Sequence, residues 1–426
     1  MSGLILPPNP PARPLRAAVL ASGRGSNLSA LLAESKAGRL PNVEFALVLS
    51  NLPGAGALEI AQREGIPGLC VHHRSYGKDR EAHEAAIIRE LEARRIDFLI
   101  LAGYMRLLTP VLVGAFAGRM INIHPSLLPA FAGIHAQSQA HAYGVKVAGC
   151  TAHFVTLGMD EGPIIAQRAV PAYPTDTEAD LSARILAEEH RALPLAVDLF
   201  SRDRLRVVGR RVVVLRGPGS YPELEPDLQP VAPLFVATGN AHKLGEISAI
   251  LGDLPLYIQG TDLFPGAPEP DENGSTYIAN AQIKARAWGE RTGAWTLADD
   301  SGLEVDALDG RPGIHSSRYA PTAAGRNARM LAELDGVPDE KRTARFACTV
   351  VLRSTDGREF HASGTCEGHI AHGPRGAAGF GYDPIFVPDG FDGAHLAELG
   401  GEVKNRISHR ARALAGLREA LRELTD

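Results

Sequence analysis

The chain opens an α/β unit twice. "RAAVLASGRGSNLSALL" from residue 16 and "PLFVATGNAHKLGEI" from residue 233 each read as a buried strand, a glycine turn and the first turns of a helix. Such a turn aims unpaired N–H groups and the positive end of the helix dipole at one point, which suits an anion. Neither turn has the spacing of a P-loop or of the dinucleotide fingerprint. At 426 residues the chain exceeds the roughly 250 to 300 at which a single core stops growing, so two domains are expected. The two turns share a layout but not the sequence that follows, so this is not an internal repeat.

From residue 16 onward strand-like runs such as "VEFALVLS" and "IDFLILAG" alternate with helix-like stretches. That alternation predicts βαβ units on a mostly parallel, Rossmann-like sheet over residues 16–215. Residues 1–15 are Pro-rich and read as an N-terminal tail. The stretch "RGPGSYPELEPDLQPVAP", 216–233, is dense in Pro and Gly without a period and reads as a flexible linker. Residues 234–426 form a second α/β pattern. There "RFACTVVLR" and "EFHASGTCEGHI" follow each other without a helix between them, which predicts a mixed sheet.

The net charge of −5 argues against a broad nucleic-acid surface and leaves room for local basic pockets that hold phosphates. The four cysteines lack C-x-x-C spacing, so neither a zinc site nor a disulfide framework is indicated and a reducing cytoplasm fits. No run of 18 apolar residues occurs, and no membrane partner is expected.

In "MINIHPSLLP", Asn122 and His124 lie two apart at a strand end and so share a face. An amide and an imidazole there suit oxyanion binding and proton movement; a satisfied strand end before Pro125 accounts for the same residues. Asp160, in the Gly-flanked loop of "HFVTLGMDEGPIIAQ", stands where it can orient His124. The ordered set "SGRGSN", "AGYMRLL", "NIHPSLLP", "AHFV" and "MDEGPIIAQ" closely resembles phosphoribosylglycinamide formyltransferase. The resemblance covers about residues 16–214. It implies that the amine of glycinamide ribonucleotide attacks the formyl carbon of 10-formyltetrahydrofolate, with Asn122, His124 and Asp160 as the catalytic set. It further implies that Gly25, Ser26 and Asn27 cradle the ribonucleotide phosphate and that Glu189 contacts its ribose. Arg80 and Met105, Arg106, Leu107 and Leu108, with Asn122, would line the folate site. One loop departs from the family: Ala132, Ala136 and Gln137 replace the usual residues while His135 remains. Methionyl-tRNA formyltransferase and formyltetrahydrofolate hydrolase share the Asn, His and Asp set. The first is disfavoured by "SGRGSN" and the lack of a basic tRNA-binding domain, the second by the lack of an N-terminal regulatory domain.

In the second half "TLADDSGLEVDALDG" runs an apolar strand into Asp299 and Asp300, which face opposite sides, so one is expected to work and the other to brace the turn. Glu272 precedes a helix start, where a carboxylate caps the helix or holds a divalent cation. Glycines around Phe380 and Tyr382 would let a base stack near the backbone, with Asp383 reading its edge. Lys404, His409 and Arg410 open the last helix, either as a solvated basic face or as a site for an anion or base. Together "TGNAHK", "ENGSTYIANA", "ADDSGLEVDAL", "RPGIHSSRYA", "GFGYDPIF" and "KNRISHR" look like the inosine/xanthosine triphosphate pyrophosphatase family over about 234–424. That resemblance implies Mg²⁺-dependent cleavage between the α- and β-phosphates of non-standard purine nucleoside triphosphates. Thr238, Gly239, Asn240, Ala241, His242 and Lys243 would bind the triphosphate. Glu272 and Asp300 would hold Mg²⁺, Asp300 would activate water and Ser301 would sit beside them. Phe380, Gly381, Tyr382, Asp383, Lys404, His409 and Arg410 would recognise the 6-oxo purine. Ala279 stands where bacterial relatives commonly have Glu. By the same resemblance a homodimer through the second half is expected.

The expectation is therefore a bifunctional enzyme of purine nucleotides. The rival is a chain in which only the pyrophosphatase half turns over and the formyltransferase half is a ligand-binding or structural module.

Overall fold

The computed structural model describes residues 4–425. They divide into two compact units, residues 8–230 and residues 231–425 together with 4–7.

The first unit is built on a nine-stranded sheet: β1 (Leu15–Leu20), β2 (Val43–Ser50), β3 (Gly68–Cys70), β4 (Phe98–Leu101), β5 (Met120–His124), β6 (Val147–Phe154), β7 (Ile164–Pro171), β8 (Leu205–Val208) and β9 (Arg211–Val214), ordered β3-β2-β1-β4-β5-β6-β7-β9-β8. The run from β3 to β5 is parallel, and β6 and β7 then pair antiparallel. Successive residues of β1 belong to different cores, Ala17 and Val19 on one face and Ala18 and Leu20 on the other. Both faces are covered, so β1 shows an unbroken apolar run rather than an alternation.

The second unit has a six-stranded mixed sheet: β10 (Ala232–Val236), β11 (Leu256–Gln259), β12 (Thr296–Val305), β13 (Thr343–Arg353), β14 (Glu359–Ile370) and β15 (Phe386–Pro388), ordered β11-β10-β12-β13-β14-β15. β10 pairs parallel with β11 and β12, and the remaining pairs are antiparallel. β13 and β14 need no crossover helix because only a tight turn separates them.

The stretch expected to be a linker is not loose. Tyr221 and Leu224 are buried in the first unit's core. The buried Arg204 guanidinium donates to both Glu225 carboxylate oxygens at 3.0 and 2.7 Å, and Ser220 N–H donates to Asp198 at 3.0 Å. Its prolines and glycines thus shape a packed surface segment, because two apolar side chains and a buried ion pair anchor it. Residues 4–15 of the Pro-rich tail are held in place too. Arg13 donates to both oxygens of Asp97 at 2.7 and 2.9 Å in the first unit. Ile5 belongs to the second unit, where Gln259 receives its N–H at 2.6 Å and donates to its carbonyl at 2.8 Å; Leu4 packs on the Phe235–Trp288 cluster.

Ile5 is 2 % exposed. Ile5→Ala is expected to remove about 1–2 kcal/mol once the entropy of ordering the segment is counted, or roughly 3–6 °C in the second unit's melting transition. Calorimetry of the full chain checks this; an unchanged melt would mean the segment docks without holding anything.

Candidate functional sites

In the first unit the turn after β1 places Gly25 at φ 82° as the N-cap of the helix Ser26–Lys36, and no side chain caps that helix. A Cβ on Gly25 would lie 2.8 Å from Ile60 and 2.9 Å from Ala57, so only glycine fits and the helix start stays open to an anion. Asn27 does not point into that opening. Its amide donates to Glu189 Oε2 at 2.7 Å, and its Oδ1 is buried without a partner. Glu189 arrives on the helix Glu178–Ser201, started by a capping box of Thr177 and Asp180. Burial raises the Glu189 carboxyl, and the Asn27 hydrogen bond offsets part of that.

β5 puts Asn122 and His124 on one face, and β6 places His153 directly across from Asn122. His124 Nδ1 lies 3.3 Å from Asp160 Oδ2. His153 Nδ1 donates to the Phe154 carbonyl at 2.8 Å, so its Nε2 accepts the Asn122 amide N–H at 3.1 Å. Burial lowers the His153 pKa, keeping this acceptor neutral. His153 therefore fixes which way the Asn122 amide faces. Sequence reasoning passed over it although "AHFV" contains it, because its partner lies across the sheet.

The loop with the altered residues touches this group through backbone. Phe131 carbonyl faces His124 Nε2 at 2.9 Å, and Gly133 N–H donates to Asp160 Oδ2 at 2.8 Å. Leu101 of β4 pairs with Asn122, which brings the next residues to the same end of the sheet. There the Arg80 guanidinium donates to the Leu107 carbonyl, Met105 N–H donates to Ser22 Oγ at 2.9 Å, and the Met105 and Leu107 side chains are exposed. Leu108 packs inward against the second core of this unit.

In the second unit Asn240 Oδ1 accepts the N–H groups of His242 and Lys243 at 3.0 and 3.3 Å, starting the helix Ala241–Ile250. Lys243 Nζ reaches Asp299 Oδ2 at 2.9 Å, and Thr261 Oγ1 donates to the Thr238 carbonyl at 3.0 Å. Asp299 also receives Arg410 at 3.0 Å. Burial alone would raise the Asp299 carboxyl, but Lys243 and Arg410 outweigh it and hold the group far below the ordinary range. Asp300, on the other face, accepts the Asn280 amide at 3.0 Å and lies 3.8 Å from Lys284 Nζ. Burial raises its pKa, only partly offset by Lys284 and Asn280. Ser301 N–H donates to Asp300 Oδ1 at 3.0 Å.

Asn280 and Lys284 lie one turn apart on the helix Tyr277–Thr292. Lys284 Nζ also lies 3.3 Å from Glu272, so the two carboxylates converge on one cation. Among the described residues no cluster of three or more His, Cys, Asp or Glu could enclose a metal. Two hard carboxylates open to phosphates and water are the donor set Mg²⁺ takes, and Glu272 and Asp300 fit it. Ala279 N–H is received by Thr276 Oγ1 at 3.2 Å, so this helix begins without a carboxylate at that position.

At the far end Asp383 Oδ2 accepts Phe380 N–H at 2.8 Å and Lys404 Nζ at 2.7 Å. Lys404 also meets Glu246 Oε1 at 2.6 Å, and Glu246 pairs with Arg410. His409 is buried and stacks on Phe346 with centroids 4.9 Å apart; its Nδ1 has no partner. Gly381 adopts φ 68°. Tyr382, singled out with Phe380 for base stacking, is instead buried in the core, and its hydroxyl donates to the Ser316 carbonyl at 2.9 Å. Its ring has apolar neighbours and its hydroxyl has an acceptor, so it anchors the loop. Glu246 and Lys284 were missed; their only local trace is helical spacing, three residues after Lys243 and four after Asn280.

The first unit thus gathers charged groups at its strand ends and the second around the middle of β12, each with an anion-suited helix start, the arrangement of nucleotide-handling α/β enzymes. The formyl transferase pattern matches residues 15–197 and the Ham1 family pattern residues 234–420. The dITP/XTP pyrophosphatase of Nitratidesulfovibrio vulgaris is 47 % identical over 197 residues, 44 % of this chain and 95 % of that protein. The trifunctional purine biosynthetic protein adenosine-3 of Drosophila melanogaster is 46 % identical over 186 residues, 43 % of this chain and 14 % of that protein. The crystal structure of glycinamide ribonucleotide transformylase 1 from Symbiobacterium toebii shares 50 % identity over 48 % of this chain and 96 % of that chain, with a TM-score of 0.47. The chain belongs to the phosphoribosylglycinamide formyltransferases through its first unit and to the Ham1 family of dITP/XTP pyrophosphatases through its second.

Proposed function

We propose that both units turn over. In the first, the amine of glycinamide ribonucleotide attacks the formyl carbon of 10-formyltetrahydrofolate. Asn122, held in orientation by His153, donates to the developing oxyanion together with His124, and Asp160 steadies His124 while the amine proton passes to the departing folate nitrogen. The open helix start at Gly25 and Ser26 takes the ribonucleotide phosphate. Because Asn27 and Glu189 already form one pair, they act on the ribose as a unit.

In the second unit, water attacks the α-phosphorus of ITP, dITP or XTP, and pyrophosphate leaves with the electrons of the broken P–O bond. Asp300 takes the water's proton. Lys243 faces the phosphates, and Lys404, Asp383 and Arg410 face the base. Mg²⁺, held by Glu272 and Asp300, would neutralise charge on the phosphates. The observation that carries the proposal is that each unit brings titratable groups together, His124 within 3.3 Å of Asp160 and Lys284 within 3.3 and 3.8 Å of Glu272 and Asp300.

One observation favours a second reading in which the first unit binds without turnover: the Phe131 carbonyl faces His124 Nε2. Catalysis requires that loop to release the ring. The full chain is expected to transfer formyl to glycinamide ribonucleotide and to release pyrophosphate from ITP or XTP only with Mg²⁺, in the cytoplasm and as a homodimer through the second unit. Both assays and light scattering on one preparation test this. Absence of both activities sinks the proposal, and binding of both ligands without formyl transfer selects the second reading.

A further inference from the structure

The imidazole of His242 and the ring of Phe380 lie nearly parallel, 16° between planes and 5.5 Å between centroids. The two rings come from distant parts of the second unit's sequence, His242 from the first turn of the helix Ala241–Ile250 and Phe380 from the loop before Asp383. His242 sits inside the stretch that resemblance assigns to the triphosphate. Its geometry separates it from that task. Successive helical residues point about 100° apart, and with Asn240 fixing both N–H groups, Lys243 turns inward to Asp299 while His242 turns to Phe380. The side chain is exposed and free of any charged partner among the described contacts, whereas Lys404 Nζ lies 4.7 Å from the Phe380 centroid beside Asp383. Polar groups that read a base edge therefore adjoin one of these two rings, and the other ring is its lid.

Resting on the pyrophosphatase reading above, we propose that His242 is a base-stacking residue that covers the purine against Phe380 and does not bind phosphate. A base between two rings needs centroids about 7 Å apart. The slot therefore opens by a small swing of an exposed side chain, a motion of the ps–ns class. Entry of the base exchanges one ring–ring contact for two.

The test uses the full chain with Mg²⁺, ITP as substrate and inorganic tripolyphosphate as a competitive probe of the phosphate subsite. His242→Ala is expected to raise KM for ITP on the order of tenfold, with kcat and the tripolyphosphate inhibition constant within about twofold. His242→Phe restores KM and His242→Lys does not. Equal weakening of ITP and tripolyphosphate, rescue by Lys rather than Phe, or an unchanged KM would each overturn the assignment. A wild-type chain that fails to hydrolyse ITP sinks the pyrophosphatase reading instead. The same four proteins then decide the stacking role by calorimetric binding of ITP and of tripolyphosphate.

Discussion

Asp300→Asn abolishes pyrophosphate release, by at least about 10³-fold, while formyl transfer by the same protein is unchanged. The substitution removes the proton acceptor and one of the two metal-directed carboxylates at nearly constant shape. It should not harm the fold. Burial raises the Asp300 pKa, so the folded state binds its proton more tightly than the unfolded state does. Ionising it therefore costs stability as pH rises from the unfolded pKa through the folded one, and the Asn variant lacks that cost. The expected melt is equal to or above that of the parent at neutral pH. A pyrophosphate release assay and a thermal melt read both. The neighbouring carboxylate behaves oppositely. Asp299→Asn leaves Lys243 and Arg410 without their shared buried anion, a loss of about 3–5 kcal/mol, so activity and fold fail together. Retained stability in Asp299→Asn, or retained activity in Asp300→Asn, would exchange the roles assigned to the pair.

His124→Ala is expected to lower formyl transfer by about 10²–10⁴-fold and to leave Mg²⁺-dependent pyrophosphate release intact. The ring is buried between a carboxylate and a backbone carbonyl, with Asp160 at one nitrogen and Phe131 at the other. Its removal leaves two acceptors facing a small cavity and Asn122 as the remaining donor for the oxyanion. Measuring formation of tetrahydrofolate and pyrophosphate in one preparation separates local loss of chemistry from misfolding. A variant with formyl transfer near that of the parent would remove His124 from the mechanism, and simultaneous loss of both activities would point to a collapsed fold.

How much of each site is legible along the chain depends on how far apart its parts lie. Asn122 and His124 are two apart, and a strand's period of two places them together without any knowledge of the fold. Asp299 and Asp300 are adjacent on β12, so their opposite facing was equally readable. The structure gives each its own cations, Lys243 and Arg410 for one and Lys284 for the other. His153 had no such signal, because it meets Asn122 only through the antiparallel pairing of β5 and β6. Tyr382 misled for a related reason. Flanking glycines suggest an exposed turn, while the ring's burial depends on core residues such as Leu303 and Phe346, far away in sequence.

The sequence by itself determined that there are two α/β openings, that the second sheet is mixed, and which ordered residues carry the family resemblance. These follow from periods of two and 3.6 and from turn chemistry, which act over a few residues. Only the tertiary structure decided that Ile5 docks on Gln259, that Tyr221 and Leu224 hold the Pro/Gly stretch, that Glu246 joins Lys404 to Arg410, and that His242 lies over Phe380. Each of these joins groups distant along the chain. Their energy comes from burial and pairing at a meeting point, and that leaves no periodic trace in either partner's neighbourhood.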